Sequence, residues 1–96
     1  RMANGDSNFN YPMLDGWSTA DIIAVSGLYS AVATAYESGI DRLKLLAAYD
    51  AFKQVVPSKA EEKQLDREFG GESGYSIYRT IQAAKQSDKK QLKMEG

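Results

Sequence analysis

After Trp17, apolar side chains recur every three or four residues along most of the chain. Ile22, Val25, Tyr29, Val32 and Tyr36 form the first stripe, which has the period of an amphipathic helix. Ser18 and Asp21 have capping-box spacing, and Trp17 and Ile22 have hydrophobic-staple spacing, so this helix starts after Ser18. Gly39 stands where a left-handed C-cap is needed, and Ile40 can fold back on the last turn. Asp41 then caps a second helix that runs to about Val55. Leu45, Tyr49, Phe52 and Val56 form its stripe, with Leu46 beside it. The link is short, so these two helices are expected to be antiparallel neighbours.

Pro57 closes the second helix, because it lacks an N–H and pushes Val56 out of helical geometry. Ser58 followed by Glu61 has the spacing that opens a third helix, roughly Lys59 to Phe69. Its apolar face is only Leu65 and Phe69. Gly70-Gly71 is expected to stop it, with a fourth helix from about Ser73 or Gly74. Tyr75, Tyr78, Ile81 and Ala84 give that helix its inward face. Tyr11, Met13, Leu14 and Trp17 carry too much apolar surface for a free tail, so this arm is expected to lie across the helices.

The pattern specifies an all-α fold: a small array of four helices, a helical hairpin with two shorter helices packed across it. Residues 1–10 read as a disordered segment, 11–87 as a single helical domain and 88–96 as a polar, frayed tail. The expected core is Trp17, Ile22, Val25, Tyr29, Val32, Tyr36, Leu46, Tyr49, Phe52, Leu65, Phe69, Tyr78 and Ile81.

Ninety-six residues make one small core, and a chain of this length leaves much apolar surface exposed. Burial against a partner protein or a second copy of the chain, as a homodimer, would add to its stability. With 12 basic and 13 acidic side chains, the net charge is −1, which gives no whole-protein field for nucleic acid. No apolar run is long enough to span a bilayer, and the start has no signal-peptide pattern. Arg1 ahead of Met2 reads as an expression remnant. Cys is absent, which removes disulfides and zinc-thiolate sites and fits a cytoplasmic location. His is absent too, so a catalyst would have to use carboxylates, Lys, Tyr or Ser. No zinc spacing, phosphate-cradling loop or nucleophile elbow occurs. The chain therefore reads as a non-enzyme without cofactor, metal or catalytic residues.

Charge does change the picture of the third helix. Lys59, Lys63 and Arg67 form one row at successive fourth positions, and Glu62 and Asp66 form the next. Adjacent rows of opposite sign usually make a solvated, ion-paired face. The sharper reading is a docking surface for a charged protein partner, with Lys59, Glu62, Lys63, Asp66 and Arg79 as candidates. A rival reading uses the basic C-terminal helix, with Arg79, Lys85, Lys89, Lys90 and Lys93, to meet nucleic-acid phosphates. Acid on the third helix and the long turn through Gly70 to Gly74 weigh against it.

Four stretches have order and spacing in common with a known family. They are Tyr11-Pro12-Met13, Trp17-Ser18-Thr19, the run from Val56 to Lys63, and Ser73-Gly74-Tyr75-Ser76 with Tyr78-Arg79. Over about residues 10–86 the chain resembles the uncharacterised protein family numbered 0223, short proteins of bacilli and related Gram-positive bacteria. The resemblance implies a small all-helical cytoplasmic protein and transfers no activity or catalytic residue. Residues 1–10 and the lysine-rich tail fall outside the resemblance.

Overall fold

The computed structural model describes residues 14–95, and the segment 1–10 with Tyr11, Pro12 and Met13 lies outside them. Four helices follow in order: α1 (Thr19–Glu37), α2 (Arg42–Val55), α3 (Lys59–Ser73) and α4 (Ile77–Gln86). Two short strands, β1 (Ile40–Asp41) and β2 (Gln91–Leu92), complete the fold. The all-α expectation holds, with α1 and α2 as the most extensively packed pair.

Local signals place the helix starts. The Ser18 side chain accepts from the Asp21 N–H, and the Asp21 carboxylate accepts from the Ser18 N–H. Asp41 accepts from the N–H groups of Leu43 and Lys44. Ser58 accepts from the Glu61 N–H at 3.3 Å. Each of these satisfies a donor that a first turn leaves unpaired.

The core runs along the inside of the hairpin. Val25, Leu28, Tyr29, Val32, Leu45, Phe52, Val56, Leu65 and Phe69 are fully buried. The Tyr29 and Phe69 rings stack at 4.7 Å between centroids, which fixes α3 against α1. Leu14 and Trp17 pack against this core, as expected for the arm.

Several positions differ from the pattern. Ile22 is 40% exposed, because it sits in the first turn of α1, while the middle of that helix is buried on several sides. Leu45, not Leu46, is the fully buried leucine of α2, and Leu46 is half-buried. Tyr78 is 65% exposed. Ser76 caps α4, so the helix begins at Ile77 and its inward face is Ile77, Thr80, Ile81 and Ala84. Ile81 and Ala84 point inward as expected, but Ile77 takes the first-turn place on that face, and Tyr78, about 100° further round the helix, turns outward.

Gly70-Gly71 does not stop α3. The helix runs through both glycines to Ser73, and Gly74 at φ 81° is the left-handed cap. A Cβ on Gly70 would lie 3.4 Å from the Tyr75 carbonyl oxygen. The returning turn thus passes close over the helix.

The described residues of the expected frayed tail, 88–95, instead return to the hairpin. β2 pairs antiparallel with β1, Ile40 opposite Leu92 and Asp41 opposite Gln91. The Met94 N–H donates to the Ala35 carbonyl and the Arg42 N–H to the Lys90 carbonyl, both at 2.8 Å. The Arg42 side chain donates from Nε to the Lys89 carbonyl and from Nη1 to that of Ala84, in the last turn of α4. The first residue of α2 therefore caps α4. Leu92 is buried, and Met94 packs against the core. Spacing conceals this because a two-residue strand has no readable period.

Candidate functional site

α3 reaches the core through Leu65 and Phe69. Helical geometry then turns Glu62 and Asp66 toward the neighbouring helices. Glu62 faces α2, where Oε1 lies 2.6 Å from Lys53 Nζ and Oε2 accepts from the Tyr49 hydroxyl at 2.8 Å. Burial and the bond to Glu62 push the Tyr49 phenol up to about 12. It remains a protonated donor throughout the neutral range.

Asp66 faces α4. Its Oδ1 accepts from the Ile77 N–H at 2.8 Å, and Oδ2 lies 3.4 Å from the Tyr78 nitrogen. The carboxylate thus sits at the positive end of α4 and binds two first-turn donors. Replacing Asp66 by Ala is expected to cost about 2 kcal/mol, and by Asn about half that. Urea unfolding of the two variants checks this; equal losses would show that the charge plays no part.

Both carboxylates of the expected ion-paired face are therefore taken by other helices. Lys53–Glu62 is the one ion pair among the described residues, so the row Lys59, Lys63 and Arg67 is not paired within α3. Two adjoining depressions lie beside it. One, of about 300 Å³, is lined by Tyr49, Lys53, Lys59, Glu62, Lys63, Asp66, Tyr78, Gln82 and Lys85. The other, about 460 Å³, is lined by Lys63, Asp66, Arg67, Ser76, Tyr78 and Arg79. All five candidate residues line one or the other. Lys63, Asp66 and Tyr78 line both, making one groove across α2, α3 and α4.

The groove carries Lys53, Lys59, Lys63, Arg67, Arg79 and Lys85 against Glu62 and Asp66. Lys85 Nζ lies 5.5 Å from the Tyr49 ring centroid, a cation–π contact. Sequence reasoning missed Tyr49, Lys53, Tyr78, Gln82 and Lys85 as groove residues. Tyr78, Gln82 and Lys85 recur at four and three residues, a helical face that the displaced start of α4 hid. Among the described residues, no three His, Cys, Asp or Glu side chains gather to hold a metal ion. No helix among them is long and apolar enough to cross a membrane.

Fold and groove define a small helical protein with a cationic surface groove. The chain belongs to the Uncharacterised protein family (UPF0223), which matches residues 8–93. A UPF0223 protein of Streptococcus gordonii is 48% identical over 84 residues, covering 88% of this chain and 91% of the relative. One of Bacillus velezensis is 46% identical over 86 residues, covering 90% and 98%. One of Bacillus mycoides is 48% identical over 87 residues, again covering 90% and 98%. The family match extends over β2, beyond the stretch that carried the resemblance.

Proposed function

We propose that the protein is a non-catalytic protein-interaction module of the bacterial cytoplasm that docks its partner through the α2–α3–α4 groove. The observation that carries this reading is the division of charge on α3. Glu62 and Asp66 are bound inside the fold, while Lys63 of the same helix, with Arg79 of α4, lines the groove without an ion pair among the described residues. An ordinary solvated helix face pairs its own charges. The absence of both His and Cys favours binding over catalysis.

The nucleic-acid reading draws less support. Of the five basic residues that this reading relies on, only Arg79 and Lys85 line the groove. The Lys93 side chain lies against Gly39 at the α1–α2 link. The basic C-terminal residues are therefore split between two places. A second copy is also the weaker partner. Ile22 and Ile23 are exposed at the start of α1, whereas Leu43 is exposed at the start of α2, the other end of the hairpin.

The test is affinity capture from bacterial lysate with and without nuclease. Capture of a protein that survives nuclease and is lost with Lys63→Glu is expected. Capture that collapses with nuclease, or is indifferent to charge reversal at Lys63, overturns the reading.

A further inference from the structure

We infer that the groove takes an acidic segment of a partner protein, in which successive carboxylates meet the α3 cation row and an apolar side chain rests on Tyr78. This rests on the interaction reading above and adds the partner's chemistry. Lys59, Lys63 and Arg67 stand about 6 Å apart along the helix axis, so the row spans about 12 Å. A single small anion cannot bridge that span. Alternate residues of an extended chain repeat about every 7 Å on one face, so every second side chain can present a carboxylate to the row. Arg79 and Lys85 flank the opposite side from α4.

The exposed residues support the same choice. Tyr78 presents a mostly exposed ring that is common to both depressions, and aromatic side chains supply contact area at low entropic cost. Bound Glu62 and Asp66 lie among the cations and repel anions that do not keep to the rows. The net charge of −1 gives no long-range field of the kind that gathers nucleic acid. Attraction confined to the groove suits one short acidic segment.

The test is fluorescence anisotropy on the full chain with a labelled peptide of roughly 12 residues, a length that covers the row when extended. The peptide alternates Glu with apolar residues and carries one Trp. A counterpart with Gln for every Glu and a single-stranded oligothymidylate of equal charge complete the set. The Glu peptide is expected to bind and to weaken as salt rises. The double variant Lys63→Glu, Arg79→Glu is expected to lose roughly tenfold or more, and Tyr78→Ala several-fold. Lys44→Glu, outside the groove, is expected to change nothing. Circular dichroism confirms that each variant is folded.

Equal binding of the Gln peptide rejects carboxylate recognition. Tighter binding of the oligonucleotide, or no binding of the Glu peptide, rejects the acidic segment. If lysate capture still depends on Lys63 in those cases, the interaction surface stands and only its chemistry is wrong. If capture is indifferent to Lys63, both readings fail.

Discussion

Replacing Phe69 by Ala is expected to cost about 4 kcal/mol, within the range for a buried phenylalanine, and to lower the thermal midpoint by about 20 °C. The ring is fully buried and stacks 4.7 Å from that of Tyr29. α3 has only two fully buried side chains, Leu65 and Phe69, so truncating one leaves the helix on a single anchor. The loss therefore has a local component. Lys59, Lys63 and Arg67 are held in line by the same helix, and partner capture should fail at temperatures where α1 and α2 are still paired. Far-ultraviolet circular dichroism, compared with capture across a temperature series, separates the two events. A midpoint shift below about 5 °C would mean that α3 is held chiefly by Asp66 and Glu62.

Gly39→Val is the second large effect, at about 3 kcal/mol. Gly39 has φ 93°, a region that costs an L-residue about 1–2 kcal/mol and is worst for a β-branched one. A Cβ there would also stand 3.4 Å from the Leu92 carbonyl oxygen and 3.6 Å from the Lys93 side chain. The valine methyls reach further and would press on β2. Gly16 separates these causes, since its φ is 87° with nothing within 4 Å of an added Cβ. Gly16→Val should therefore show the conformational cost alone, and the difference between the two variants measures the pressure on β2. Equal losses at both positions would show that β2 simply moves aside. Chemical unfolding of both variants gives the comparison.

Much of the helical frame was legible in the sequence because its signals are local. Ser18, Asp41 and Ser58 each cap the helix that their spacing announces, and Gly39 takes the positive φ that its place demands. What escaped depends on contacts distant along the chain. The start of α4 is fixed by Ser76 and by Asp66 from another helix, so the tyrosine pattern put Tyr75 and Tyr78 on an inward face that begins instead with Ile77. α3 continues past Gly70-Gly71 because Gly74 supplies the left-handed stop.

The five candidate residues do meet at one groove, because fourth-position spacing lines up Lys59 with Lys63 and Glu62 with Asp66 on α3, and α4 brings Arg79 alongside. Their division of labour was not legible. Lys63 and Arg79 line open surface, whereas Glu62 and Asp66 serve α2 and α4. Opposite charges on neighbouring rows resemble a self-paired surface until the adjoining helices are in place. Tyr78, expected inside, proves to be the aromatic shared by both depressions.

The β1–β2 ladder bears on how the chain acquires this structure. Ile40 and Leu92 meet across about fifty residues, whereas the α1–α2 pair closes over a link a few residues long. Chain entropy opposes the longer closure until the intervening helices have shortened the gap. The hairpin should therefore condense first and the ladder zip last, as Arg42 reaches the completed end of α4. The same ladder is then the first unit to open from the native state, exposing the Arg42 and Met94 amides to exchange while the Tyr29–Phe69 core stays closed.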